Sequence, residues 1–160
     1  MNDNVTVGIA DMKIIQRTGT LITYALGSCI GICLYDQSIL LAALIHIMLP
    51  LNMEAGRKSP MKYADTGIRE TLKEMEKRGA NKQRIVAKIA GGASMFDASG
   101  SSTLGGIGQR NIESVRLVLK REGIRLLHED VGGSVARTLL FNAETGMATV
   151  RSYGKPETSF

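Results

Sequence analysis

Tryptophan is absent from the 160 residues, and four tyrosines and three phenylalanines make up the whole Phe, Tyr and Trp content. Packing must therefore rest on Leu, Ile, Val, Ala and Met. A basic stripe interleaved with aromatic rings, the platform on which nucleic acid stacks, is missing, and no nucleic-acid-binding module can be traced. The formal net charge of +5 is modest and scattered; its one local cluster is Arg57, Lys58 and Lys62, either a solvated surface or a face for an acidic protein partner. No apolar run reaches the roughly 18 residues of a membrane span, and the longest, residues 39–51, contains His46. No secretory pattern is visible at the start, where Asn2 and Asp3 replace a basic region. The two cysteines lack disulfide spacing, which fits a reducing cytoplasm. His128 has only Glu129 and Asp130 nearby, so neither a metal nor another cofactor is expected.

At this length one hydrophobic core is expected rather than two domains. Residues 1–153 are expected to form a single domain and 154–160 a flexible, frayed tail. Short strands are expected within 4–15 and at 20–26, then at 84–90, 124–130, 136–142 and 147–152, with Asn142 to Gly146 connecting a final hairpin. Ser59 can cap a helix whose first turn holds Pro60, whose inward stripe is Ala64, Ile68, Leu72 and Met75, and whose stop is Gly79. A second helix is expected at 109–122, with Ile112, Val115, Val118 and Leu119 inward. The glycine-rich stretch 91–108 between strand and helix suggests a phosphate loop, but Gly-Lys-Ser/Thr is missing. Gly106-Ile-Gly108-Gln-Arg-Asn111 also lacks the third glycine of a dinucleotide fingerprint, so these glycines read as turns.

The chemistry concentrates in residues 29–35 and 40–50, both of which read as strands. A tight turn at Asp36-Gln37-Ser38-Ile39 would pair Asp36 with Ile39, Cys33 with Ala42 and Cys29 with His46. Residues directly opposite share a face with Cβ atoms roughly 4.5–5.5 Å apart, whereas a slip of one residue would part them. A thiol beside an imidazole suits attack on an amide or ester carbonyl, because the imidazole can take the thiol proton and pass it to a leaving group. Gly27 would let the backbone turn closely, and the amides of Ser28 and Cys29 could face a substrate oxyanion. The same residues also read as a packed thiol and a hydrogen-bonded core histidine. Cys33 reads as packing alone, and four strand residues, roughly 13 Å, separate it from Cys29 too far for a disulfide.

Several segments together resemble the chemoreceptor glutamine deamidases, the CheD family. They are Val-Gly-Ile-Ala-Asp at 7–11, Thr23 with Leu-Gly-Ser-Cys at 26–29, His-Ile-Met-Leu-Pro at 46–50 and Lys-Tyr-Ala-Asp at 62–65. Lys-Ile-Ala-Gly-Gly-Ala-Ser-Met-Phe at 88–96, Ile-Gly-Gln-Arg-Asn at 107–111 and Glu-Asp-Val-Gly-Gly at 129–133 continue the match in order. The resemblance implies an α/β (α+β) fold of packed mixed β-sheets flanked by helices, shared with a bacterial deamidating toxin domain. It also implies a cytoplasmic cysteine hydrolase that converts glutamines of methyl-accepting chemotaxis receptors to glutamates, associates with receptor arrays and binds the phosphatase CheC. The family's nucleophile falls on Cys29, its histidine on His46 and its third catalytic residue on Thr23, which would orient the imidazole. Ala25, where the family more often has glycine, and the Leu51-Asn52 start of the following loop depart from the pattern and bear on substrate preference.

Two other functions compete with receptor deamidation. One is a regulatory module that engages CheC or receptors without turnover, which would have no physical need for Cys29, His46 and Thr23 together. The other is hydrolysis of a small amide or ester, which a deep closed pocket would favour over an open groove.

Overall fold

Residues 30–36 and 41–47 are buried without a break, the pattern of strands covered on both faces. In the computed structural model, which describes residues 3–51, 59–94 and 106–160, these segments are β4 (Ile30–Asp36) and β5 (Leu41–Ile47). They lie inside a sheet with β2 (Asp11–Gln16), β6 (Val86–Gly91) and β7 (Arg125–Val131), in the order β2-β5-β4-β6-β7. Helices α1 (Ala64–Lys77) and α2 (Ile107–Arg121) pack on one face. A second sheet, ordered β1-β3-β8-β9-β10, covers the other; its strands are β1 (Asn4–Thr6), β3 (Thr20–Leu26), β8 (Arg137–Asn142), β9 (Ala148–Ser152) and β10 (Thr158–Ser159). Both sheets are mixed: β1 runs parallel to β3 and β6 to β7, while the remaining pairs are antiparallel. The architecture is α+β, as expected.

Strand parity divides the core. Ile30, Ile32 and Leu34 of β4, with Leu41, Ala43, Ile45 and Ile47 of β5, meet the helical stripes Ile68-Leu72-Met75 and Ile112-Val115-Leu119. The alternate residues Cys33, Tyr35, Ala42 and Leu44 turn toward the second sheet and pack with Leu21, Leu26, Leu139 and Phe141. Each fully buried aliphatic side chain contributes about 1.5–3 kcal/mol.

The β4–β5 connection differs from the tight turn expected. Asp36 pairs with Leu41, Cys33 with Leu44 and Gly31 with His46, two residues away from the expected register. The cause is the Asp36 carboxylate, which is fully buried. It accepts hydrogen bonds from the amide and hydroxyl of Ser38 (3.1 and 2.8 Å), the Asn81 amide (3.0 Å) and the Arg84 guanidinium (3.2 and 3.0 Å). The Ser38 bonds wind Gln37–Ile39 into a 3₁₀ turn that closes through Leu40 at φ 52°, so four residues rather than two join the strands. Because side chains alternate with period two, a shift of two moves partners without changing faces.

Two further expectations are corrected. Ser59 does not cap α1: it has φ 59° and no side-chain cap, and Pro60–Lys62 forms a separate 3₁₀ turn. The helix starts at Ala64 because Tyr63 is held extended, bridged to Leu49, while the Ala64 amide donates to the carbonyls of Leu49 and Pro50 (both 3.0 Å). Residues 154–160 do not fray either. Thr158 and Ser159 pair with Val150 and Thr149, Phe160 exchanges hydrogen bonds with Ala148 (2.8 and 2.9 Å), and the Phe160 ring stacks on His128 at 3.9 Å. The outer edge of β9 offers backbone groups in need of partners, and the chain end supplies them.

Burial alone would raise the Asp36 pKa, but Arg84, the Asn81 amide and Ser38 outweigh it and hold the carboxyl below its ordinary value of 3.8. Its stabilisation is therefore complete above the unfolded value and is lost as pH falls through the lower folded one. Asp36→Asn is expected to cost about 1–3 kcal/mol at pH 7. Urea denaturation should show this difference narrowing as Asp36 protonates in the wild type; a difference independent of pH would disprove the role of its charge.

Candidate active site

His46 lies in β5 with its side chain on the face that meets the second sheet, and it is fully buried. Opposite it, from β3, comes Thr23, also fully buried. The Thr23 hydroxyl donates to the Val7 carbonyl at 2.7 Å and lies 2.7 Å from His46 Nδ1. A carbonyl only accepts, so the single hydroxyl proton belongs to the Val7 bond and Nδ1 must carry the hydrogen that Thr23 Oγ1 accepts. Nε2 is left with its lone pair, buried and without a hydrogen-bond partner among the described residues. Burial lowers the imidazole pKa from 6.5 to about 4, so the ring is neutral at physiological pH. Thr23 orients it without supplying the negative charge that would favour imidazolium.

Gly31 sits directly across the ladder from His46. A Cβ there would come within 2.7 Å of Leu139 Cδ2, 3.1 Å of Leu26 Cδ1 and 3.6 Å of Thr23 Cγ2. Glycine at this position is what lets β3 and β8 close on the strands that carry the histidine. Cys29 precedes Gly31 by two residues, just outside the ladder pair of Ile30 with Ile47, and packs against the core between the two sheets. The structure thus keeps Cys29 and His46 on one face but not in direct register. The thiol is half-buried, and desolvation raises its pKa against the opposing influence of its own backbone amide. Thiol and imidazole therefore each rest neutral, with no hydrogen bond between them among the described residues.

The loop before Cys29 also differs from expectation. Its left-handed residue is Ala25, at φ 58°, rather than Gly27, and a bulge between Thr23 and Leu26 accompanies it. The Gly27 amide donates to the Ala25 carbonyl at 3.0 Å. Among the described residues the amides of Ser28 and Cys29 donate to no other residue. Cys33 is buried, its pKa driven up by desolvation, in the packing position assigned to it. A cavity of about 800 Å³ opens beside Cys33, Tyr35 and Lys88, and neither Cys29 nor His46 lines it. Lys62 Nζ lies 5.8 Å from the Tyr63 ring centroid, while Arg57, Lys58 and Asn52 fall outside the described residues.

One buried polar group had no role in the sequence reading. Asn111, in α2, is fully buried and donates both Nδ2 hydrogens, to the carbonyls of Ser28 and Met48 (each 2.9 Å). The signal was its place: an amide side chain where a dinucleotide loop would need glycine, on the helix face that carries Ile112, Val115 and Val118.

A half-buried thiol, a neutral buried imidazole with one open nitrogen and a hydroxyl fixing its tautomer form the class of site that can carry acyl transfer, here at the seam of a two-sheet α+β sandwich. The comparisons with known proteins specify further. The family model described as CheD chemotactic sensory transduction matches residues 48–152. The protein named probable chemoreceptor glutamine deamidase CheD from Syntrophomonas wolfei is 48% identical, covering 98% of both chains. Its namesake in Clostridium botulinum strain Alaska E43 is 46% identical over 96% of this chain and 95% of that one. The chemoreceptor glutamine deamidase CheD of Thermotoga maritima is 42% identical over 94% and 93%. Among solved structures, the Bacillus licheniformis hypothetical protein YfiH aligns at TM-score 0.40 and 16% identity, covering 72% of this chain and 46% of that one. This chain belongs to the CheD family. The family model begins after His46, so Thr23, Cys29 and His46 all precede its matched segment.

The backbone at Ala25 gives the departure from glycine a physical meaning. A left-handed residue with a Cβ carries a cost of about 1–2 kcal/mol, partly offset by the unfolded-state entropy that glycine would add. Ala25→Gly is expected to stabilise the fold by about 0.5–1 kcal/mol, read as a higher melting temperature. A lower one would mean that the Ala25 methyl makes a packing contribution larger than its strain.

Proposed function

We propose that this chain is a protein-glutamine deamidase acting on methyl-accepting chemotaxis receptors, with Cys29 as nucleophile, His46 as general base and acid, and Thr23 as the residue that orients His46. The observation that carries this reading is the open Nε2 lone pair, held by the Val7–Thr23–His46 hydrogen-bond chain on the face that Cys29 shares. In the proposed reaction Nε2 takes the thiol proton as sulfur attacks the glutamine carboxamide carbon. The tetrahedral oxyanion faces the amides of Ser28 and Cys29. The imidazolium returns the proton to the departing nitrogen, releasing ammonia and leaving a thioester on Cys29. Water, deprotonated by Nε2, then attacks the thioester; collapse gives glutamate and restores the thiol.

The substrate class comes from the names of the relatives, and the partner CheC and a cytoplasmic site at receptor arrays come from the family resemblance. Among the described residues no helix is long and apolar enough to cross a membrane.

The test is peptide-resolved mass spectrometry of a cognate receptor's cytoplasmic fragment after incubation with the protein. Glutamine-to-glutamate conversion by the wild type, its loss in Cys29→Ala and its retention in a folded Cys33→Ala variant are expected. Thr23→Val should lower kcat at least tenfold while Thr23→Ser retains most of it, since only serine can accept the Nδ1 hydrogen. Absence of conversion by a folded wild type bound to its receptor would instead favour a regulatory binding module.

The neutral resting pair also fixes a pH dependence. His46 is a base only when unprotonated, and its pKa lies at about 4 rather than 6.5. The acid limb of kcat/KM is therefore expected well below pH 6, with activity retained at pH 5.5 and lost as pH falls through the folded His46 value. A limb near pH 6.5 would show that the imidazole is far more solvated than its buried position implies.

A further inference from the structure

Three consecutive carbonyls of the loop that presents Cys29 are each held by a different donor. Gly27 O accepts from the Ala93 amide at 2.8 Å, Ser28 O from Asn111 Nδ2 at 2.9 Å and Cys29 O from the Gly92 amide at 2.9 Å. Two of these donors are backbone groups following β6. The middle one is a side chain on another element, and it is the one that grips the peptide joining Ser28 to Cys29.

A trans peptide points its N–H opposite to its C=O. Whatever fixes the Ser28 carbonyl therefore aims the Cys29 amide the other way, and among the described residues that amide donates to no other residue. We propose that Asn111 is a positioning residue for the oxyanion site: by anchoring the Ser28 carbonyl it holds the Cys29 N–H toward the place where the carbonyl oxygen of the substrate acquires charge. The proposal rests on Cys29 being the nucleophile and adds a residue that never touches the substrate.

The surroundings of Asn111 suit this role. Its second Nδ2 hydrogen goes to Met48 O at 2.9 Å, two residues after His46, so one planar amide joins the nucleophile loop to the end of the histidine strand. Both partners are carbonyls, which only accept, so the NH2 group must face them. Oδ1 is buried and has no partner among the described residues. An amide is thus kept in a place where an apolar residue of similar size would leave two carbonyls without a donor. Its reach depends on Gly108: a Cβ there would lie 2.6 Å from Ala93 O and 2.7 Å from Gly92 O, so only glycine lets the first turn of α2 rest on that backbone.

Aiming an oxyanion donor affects the carboxamide reaction and not simple alkylation of the thiol, which develops no oxyanion. In Asn111→Ala, kcat for receptor deamidation is expected to fall about 100-fold, the scale of losing one such donor. KM should stay within twofold, and the rate of Cys29 alkylation by iodoacetamide within threefold. The Cys29 amide resonance in a ¹⁵N-¹H spectrum should broaden or split as its peptide begins to flip. Should the alanine variant fail to fold, Asn111→Asp keeps the shape and replaces the donor by an acceptor. Protonation of its buried carboxyl returns one donor, so its kcat should rise as pH falls from 8 to 5.5, where the wild type is level. A folded variant with kcat within threefold of wild type overturns the proposal, as does a parallel fall in alkylation, which would mark general collapse of the loop. If the wild type itself shows no deamidation, the proposed function fails, while the Cys29 amide resonance still reports whether Asn111 holds the peptide.

Discussion

The hydrogen-bond chain from His46 Nδ1 through Thr23 Oγ1 to Val7 O is the constraint on which the site depends. It crosses from one sheet to the other in the buried seam, where a group left without its partner would cost about 1–3 kcal/mol. It therefore does two things at once: it ties β3 to β5 and fixes one imidazole tautomer. The proposed base is then a property of sheet packing. Any change that moves β3 away from β5 would free Nδ1 and lose the tautomer before it exposed the core.

That dependence explains features of the packing that look unrelated to chemistry. Gly31 opposite His46 permits the close approach of Leu139 and Thr23. The bulge between Thr23 and Leu26, with Ala25 left-handed inside it, turns the chain out of β3 so that the loop can carry Cys29 back to β4. At the far side of the same loop, Arg137 of β8 reaches across the seam to Asp130 (3.0 Å) and to the Gly91 carbonyl (3.3 Å), and the Gly132 amide donates to that carbonyl at 2.9 Å. The strand end that holds the Cys29 loop is thus itself clamped.

How much of this could be read beforehand follows from which interactions are local. Strand and helix positions were legible because alternation and the helical stripe are short-range signals, and the faces of Cys29, Cys33 and His46 were legible because parity survives a shift of two residues. The register itself was not, since the Asp36–Ser38 turn that shifts it is completed by Asn81 and Arg84, which reach the buried Asp36 from a distant segment. The start of α1 was misread for the same reason: Tyr63 is held by Leu49 rather than by a local cap. Phe160 found its partners on β9 and β7, and no property of residues 154–160 alone announces that.

The segments that carry the family resemblance gain a common explanation from the structure. Val7, Thr23, the Cys29 loop and His46 lie at the seam; Gly91, Gly92 and Ala93 hold the loop from one side, Asn111 from another, and Gly132 braces Gly91 directly while Asp130 does so through Arg137. A set of separated motifs thus converges on one peptide loop, mostly through backbone hydrogen bonds. Of the glycine-rich stretch 91–108, residues 95–105 lie outside the described residues; of the rest, Gly92 gives its amide, and Gly108 its missing side chain, to another part of the same chain. The amides of Gly92 and Ala93, committed to the carbonyls of Cys29 and Gly27, are not available to cradle a phosphate. The absence of a charged partner for His46 has a parallel logic. An aspartate at position 23 would favour imidazolium, whereas threonine adds no charge and leaves burial to keep both groups neutral. In the proposed reaction the reactivity of Cys29 is then set by orientation rather than by a standing charge, and the strength of the proposed site lies in how firmly its loop is held.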